Sequence, residues 1–209
     1  MNIGEIMRRA PVIPVITLPE GTDAVAMART LVEAGLPVLE ITLRTAGALA
    51  AIAAISKAVP AAIVGGGTVR RGADLAALAE AGARFAVSPG LTPGIRDAAR
   101  RSPVPLLPGV ATASEIMAAD EAGFSALKFF PAAAAGGVAA LGSFAGPFPD
   151  ILFCPTGGVR PDNAPDFLAL RNVACVGGTW ITPPDLLRAG DWPAIAALAR
   201  AAAGLVAAA

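Results

Sequence analysis

Eight short apolar runs, each followed by turn residues and then an alanine-rich stretch with helical spacing, punctuate the chain from end to end. The runs are 12–17, 38–43, 62–64, 85–88, 105–107, 126–129, 151–155 and 173–176. Between and after them the spacing predicts helices over 23–34, 46–58, 72–81, 93–101, 113–122, 137–144, 163–170 and 184–208, with a short leading helix over 2–9. Strands alternating with helices imply a parallel sheet covered by helices. The runs are too uniformly apolar to leave one face wet. The expected fold class is therefore α/β, a closed (β/α)8 barrel of the TIM type with the leading helix capping its bottom. An open doubly wound sheet uses the same local units and is the alternative. A chain of 209 residues fits one barrel domain over 1–209.

Charge narrows the function. The net charge is zero and only 15% of residues are charged, which gives no footprint for nucleic acid or acidic lipid. Residues 129–149 carry no charge, but Pro131, Gly136, Gly137 and Pro147 interrupt them, and alanine is too weakly hydrophobic to make them a membrane span. Histidine and tyrosine are absent, so the commonest general base and the commonest metal ligand are both missing, and no metal site is expected. Cys154 and Cys175 fall inside apolar runs, away from any Cys-x-x-Cys spacing. They read as buried free thiols of a cytoplasmic protein.

In a barrel the active site lies at the carboxyl ends of the strands. The polar residues there are Glu40, Thr42, Arg44, Thr68, Ser88, Lys128, Thr156 and Thr179. Period-two alternation puts Glu40, Thr42 and Arg44 on one face, with Leu39, Ile41 and Leu43 on the other. The same alternation aims Lys128 inward beside Ala126 and Phe130, while Leu127 and Phe129 face the helices. Glu40 and Lys128 are thus expected in one cavity. Lys128 is one of two lysines, the other being Lys57. An amine held among apolar side chains loses hydration, desolvation disfavours the charged form, and a neutral amine is a nucleophile. An amine that attacks a carbonyl and a carboxylate that moves protons are what imine chemistry requires.

Gly157-Gly158 and Gly177-Gly178-Thr179 follow the last two runs, where this fold usually binds phosphate and where glycine lets backbone N–H groups approach an anion. Gly65-Gly66-Gly67-Thr68 has neither the P-loop nor the dinucleotide spacing and is assigned to substrate contact.

The motifs Leu39-Glu-Ile-Thr-Leu-Arg-Thr45, Val64-Gly-Gly-Gly-Thr-Val69, Val87-Ser-Pro-Gly-Leu91, Lys128-Phe-Phe-Pro-Ala132, Phe153-Cys-Pro-Thr-Gly-Gly158 and Val176-Gly-Gly-Thr-Trp180 follow one another in order over nearly the whole chain. Together they resemble the bacterial 2-keto-3-deoxy-6-phosphogluconate (KDPG) aldolases and the 4-hydroxy-2-oxoglutarate aldolases beside them. The resemblance implies a cytoplasmic, metal-independent class I aldolase, usually a homotrimer, that needs no cofactor because the substrate forms a covalent imine with lysine. It also implies a phosphorylated keto acid as substrate, split into pyruvate and glyceraldehyde 3-phosphate.

By the same resemblance Lys128 is the imine-forming residue and Glu40 the proton carrier. Arg44 and Thr68 hold the substrate carboxylate, and Gly157, Gly158, Gly178 and Thr179 hold the phosphate. Thr179 stands where serine is common and keeps the hydroxyl. Phe130, Pro89 and Thr156 line the pocket. Three alternatives stand beside this reading: cleavage of 4-hydroxy-2-oxoglutarate, cleavage of the phosphogalactonate epimer, or an oligomeric scaffold with a relic site. The last rests on residues 46–56, a helix without charge on any face, which would need a neighbouring subunit or larger assembly to cover it.

Overall fold

A computed structural model describes residues 1–206. The chain opens with α1 (Ile3–Met7), closed by a reciprocal cap in which Asn2 Oδ1 accepts from the Glu5 amide and a Glu5 carboxylate oxygen accepts from the Asn2 amide, each at 2.9 Å. The strands are β1 (Val12–Ile16), β2 (Val38–Thr42), β3 (Ile63–Gly67), β4 (Ala86–Val87), β5 (Leu106–Leu107), β6 (Gly109–Val110), β7 (Ala126–Phe129), β8 (Leu152–Pro155) and β9 (Val176–Gly178). Every strand pairing among them is parallel. The connecting helices are α2 (Ala24–Glu33), α3 (Ala48–Ala58), α4 (Gly72–Glu80), α5 (Pro93–Ala99), α6 (Ala113–Glu121), α7 (Gly137–Phe144), α8 (Ala164–Leu168), α9 (Pro184–Ala189) and α10 (Trp192–Ala203). Side chains of Asp23, Thr92, Thr112 and Asp191 accept from first-turn amides and start α2, α5, α6 and α10.

Six strands form one sheet in the order β5-β4-β3-β2-β1-β9, and β6-β7-β8 form a second. The order follows the chain without the reversal that an open doubly wound sheet requires. Only Pro108 separates β5 from β6, and isolated bridges at Phe153–Val173 and Thr156–Gly177 link β8 to the segment that carries β9. The result is an α/β fold whose parallel sheet curls around an interior. Ile13, Val38, Ile63, Phe85, Val87, Leu107, Ala126, Cys154 and Cys175 pack there into one cluster, and a flat sheet could not bring them together. Ile6 and Met7 of α1 join that cluster beside Val38 and Ile63, the first residues of β2 and β3, so α1 closes the amino ends of the strands. The alternate residues, among them Leu39, Ile41, Leu127, Phe129 and Phe153, pack outward against the helices.

Four expectations need correction. The fifth run, expected at 105–107, carries β5 at 106–107, and a further strand, β6, follows directly after Pro108, which has no N–H to give to a ladder. The third run continues through Gly65, Gly66 and Gly67 as strand, although three glycines in a row read as a loop. The last strand lies at 176–178, and Val173 makes only an isolated bridge. The helix expected over 184–208 is two helices, split at Gly190, which is left-handed at φ +62°, and Pro193, which stands in the first turn of α10; residues 207 and 208 lie outside the described ones.

The uncharged helix also differs from its expectation. In α3, Ala48, Ile52 and Ile55 are buried, and the exposed positions include Ala50, Ala53 and Ala54. Its large apolar side chains Ile52 and Ile55 therefore lie in the core, Leu49 is partly buried against it, and the exposed face is mostly alanine. No described helix is long and apolar enough to cross a membrane.

Candidate active site

Glu40 sits mid-strand in β2, paired in register with Val15 and Gly65. Lys128 sits in β7, paired with Gly109 and Cys154. Both side chains enter the interior, and Lys128 Nζ lies 3.4 Å from Glu40 Oε1 with side-chain exposures of 7% and 5%. Arg44, expected on the same face of β2 as Glu40, is exposed and makes no contact with it. Its Nε donates to Thr68 Oγ1 at 3.1 Å.

Room for the Glu40 carboxylate comes from Gly67, since a methyl group there would collide with it. Gly65 makes the same allowance for the Phe85 ring and Gly66 for Leu78 on the opposite face. The glycine run assigned to substrate contact is thus a strand hollowed for its neighbours. Only Gly67 borders the site, and it does so through Glu40.

Thr68 follows at φ +62°, the one non-glycine residue with positive φ among those described. This conformation costs a β-branched residue on the order of 1–2 kcal/mol, and strain of that kind clusters at functional sites. It aims the Thr68 hydroxyl at Arg44. Arg44 and Thr68 border a cleft of about 400 Å³ shared with Arg70, Arg71 and Asp74. Asp74 Oδ2 accepts from the amides of Arg70 and Arg71, so three guanidinium groups give the cleft an excess of positive charge that draws anions.

On the other side, the Phe130 ring centre lies 5.3 Å from Lys128 Nζ. The same ring packs against Gly157. Gly157 and Gly158 are both left-handed, at φ +93° and +76°. The Ala133 amide donates to Gly157 O at 3.0 Å and Asn163 Nδ2 to Gly158 O at 3.1 Å, which pin the turn. Thr156 is buried, with its Oγ1 3.4 Å from Cys154 O and lying over Gly177. Gly178 packs under the Trp180 ring, and Thr179 is exposed at the end of β9.

Pro89 is exposed beside Gly109, the register partner of Lys128. Ser88 is buried with its hydroxyl unpartnered and alternates away from the interior, since Val87 belongs to the inner cluster. The arrangement therefore brings Lys128, Glu40, Phe130, Gly157 and Thr156 together, sets Arg44 and Thr68 at the rim, and leaves Ser88 outside.

Sequence reasoning passed over Thr17. Its Oγ1 lies 2.9 Å from Thr42 Oγ1, which in turn donates to Ile16 O at 3.1 Å. The period-two pattern from Ile13 through Val15 to Thr17 would have found it. Beneath the site, Cys154 and Cys175 are both free and buried. The Cys154 thiol beside it, and then burial, push the Cys175 thiol well above the ordinary value of 9.0.

The family model for KDPG and KHG aldolase matches residues 3–198. The chain belongs to the KDPG and KHG aldolase family. The KHG/KDPG aldolase of Escherichia coli K12 is 52% identical to it, over 94% of this chain and 92% of the relative. The 2-dehydro-3-deoxy-phosphogluconate aldolase of Dickeya dadantii is 50% identical over 95% and 93%. Among solved structures, the KDPG aldolase of Legionella pneumophila, with pyruvate captured at low pH as a covalent carbinolamine intermediate, superposes with a TM-score of 0.95. It is 42% identical and covers 98% of this chain and 99% of its own. A designed cube-shaped cage made by fusing symmetric oligomeric domains matches with a TM-score of 0.83 at 28% identity, over 92% of this chain and 70% of that one. The KDPG and KHG aldolase family is thus represented here by a lyase with its polar groups gathered at the carboxyl ends of the strands.

Proposed function

We propose that this chain is a class I aldolase that cleaves KDPG to pyruvate and glyceraldehyde 3-phosphate, with Lys128 as nucleophile and Glu40 as proton carrier. The observation that carries this reading is the buried approach of Lys128 Nζ to Glu40 Oε1 at 3.4 Å, in a family one of whose members holds pyruvate covalently. A buried ion pair without a function is seldom a net gain in stability, which speaks against a relic site on a scaffold.

Proton passage from Lys128 to Glu40 frees the amine lone pair. The amine adds to the C2 ketone, and the carbinolamine loses water, with Glu40 returning the proton to the leaving hydroxyl. The resulting iminium ion is an electron sink, so no further cofactor is called for. Glu40 then accepts the C4 hydroxyl proton. The C3–C4 bond breaks toward the iminium carbon, releasing the aldehyde and leaving an enamine of pyruvate. Protonation at C3 and hydrolysis return pyruvate and the free amine. Arg44, joined by Thr68, binds the C1 carboxylate through charge-assisted hydrogen bonds. Phe130 keeps water from the imine, Thr156 and Pro89 shape the pocket, and Gly157, Gly158, Gly178 and Thr179 receive the phosphate.

The two sheets are read as one closed (β/α)8 barrel over a single domain 1–209. The support is the interior cluster, the single-residue break at Pro108 and the two bridges between β8 and the β9 segment. Two buried free thiols support a cytoplasmic setting. A homotrimer is read from the family resemblance alone; light scattering that returns a strict monomer would retire it.

The aldolase reading is tested by incubating the protein with pyruvate and borohydride and measuring intact mass, with Lys128→Ala in parallel. One reduced-pyruvate adduct in the parent and none in the variant is expected. A parent that forms no adduct would overturn the imine mechanism.

A further inference from the structure

We propose that Thr17 selects the substrate's tail by accepting a hydrogen bond from the C5 hydroxyl, so that the site prefers a hydroxylated, phosphorylated chain to a short dicarboxylate. The inference rests on the aldolase reading and deepens it.

The direction of the hydrogen bonds follows from counting hydrogens. Thr42 Oγ1 has one hydrogen and two contacts, Ile16 O at 3.1 Å and Thr17 Oγ1 at 2.9 Å. A carbonyl oxygen can only accept, so the Thr42 hydrogen goes to Ile16, and the Thr17 hydrogen must go to Thr42. Thr17 is then left with acceptor lone pairs and no hydrogen to give. Thr42 is fully buried and Thr17 is exposed, so donation runs inward from the opening, and the outer end of the chain, Thr17, is left as an acceptor.

Its place suits that role. The order β9-β1-β2-β3 sets the end of β1 between Gly178 and Thr179 on one side and Arg44 and Thr68 on the other. A substrate with its phosphate at the first pair and its carboxylate at the second carries its middle carbons across the end of β1. In KDPG the group at C5 is a hydroxyl, which can donate to Thr17. In 4-hydroxy-2-oxoglutarate it is a carboxylate, which meets lone pairs. For Thr17 to donate instead it must release Thr42, leaving a buried hydroxyl with one partner fewer.

The test compares kcat/KM for cleavage of the two substrates in the parent, Thr17→Val and Thr17→Ser. The valine variant keeps the shape and removes the acceptor, and the ratio favouring KDPG should fall by roughly tenfold or more. The serine variant should return it to within about threefold of the parent, because it keeps the hydroxyl. Equal losses on both substrates would mean that Thr17 only supports Thr42, and unchanged kcat/KM on both would mean that it meets no hydroxyl; either overturns the proposal. Pyruvate trapping in the parent separates the two failures. With trapping intact, an unchanged ratio removes Thr17 alone, whereas a parent that traps no pyruvate and cleaves neither substrate removes the aldolase reading and Thr17 with it.

Discussion

Lys128 Nζ and Glu40 Oε1 meet at 3.4 Å across 88 residues of chain, from β7 on one side of the interior and β2 on the other. Both side chains are more than nine-tenths buried, so each relies on the other to offset lost hydration. On the proposed mechanism, chemistry and folding are coupled at this one contact.

Breaking the pair from one side should be severe. Glu40→Gln leaves Lys128 without a counter-charge, and loss of one partner of a buried pair costs about 3–5 kcal/mol. The double variant Glu40→Gln with Lys128→Met should recover at least about half of that loss, since it leaves no stranded charge. Urea unfolding of the singles and the double measures the coupling, and strictly additive losses would show that the pair is not one.

Gly67→Ala should fold yet be a poor catalyst. The added methyl occupies the space of the Glu40 carboxylate and must push it away from Lys128. Displacement by about 1 Å can cost ~100-fold in rate. A variant with kcat/KM near that of the parent would show that the carboxylate has other room.

Thr68 exchanges stability for function. Asparagine tolerates the left-handed conformation better than threonine, so Thr68→Asn should unfold at higher urea, by about 1 kcal/mol, while KM for the keto acid rises because the hydroxyl held by Arg44 is gone. A variant less stable than the parent would mean that the packing of the threonine side chain outweighs the strain at φ +62°.

Cys175 predicts an alkaline weakness. Its thiol, raised well above 9.0 by the Cys154 thiol and by burial, keeps its proton in the folded protein where the unfolded chain loses it. Its contribution to stability is therefore complete below pH 9.0 and is lost as pH rises beyond it. Unfolding midpoints followed upward from pH 9 should fall less steeply for Cys175→Ala than for the parent, and parallel curves would show that the thiol titrates normally.

Much of this was legible in the sequence, for identifiable reasons. Apolar runs and period-two alternation are local signals, and they sufficed to send Glu40 and Lys128 inward and Leu39 and Phe129 outward. Signals that depend on a neighbour were not legible. Gly65 to Gly67 look like a loop unless one knows that Phe85, Leu78 and Glu40 need their space. The Thr17 hydroxyl looks like the edge of a strand until Thr42, 25 residues away, is placed beside it. Gly190 breaks a helix at a point where periodicity continues through it, and β6, the two residues beyond Pro108, is too short to show a period of its own.

The curled sheet leaves its interior open at the carboxyl ends of the strands, because Ile6 and Met7 pack across the amino ends. Traffic through such an interior has an order. On the aldolase reading proposed above, the pyruvate fragment is bound to Lys128 and the aldehyde fragment lies at the glycine loops. That reading has the aldehyde leave before pyruvate, and in the synthetic direction pyruvate seated before the aldehyde arrives. On it, a five-residue helix at the far end of the molecule leaves both fragments the same way out.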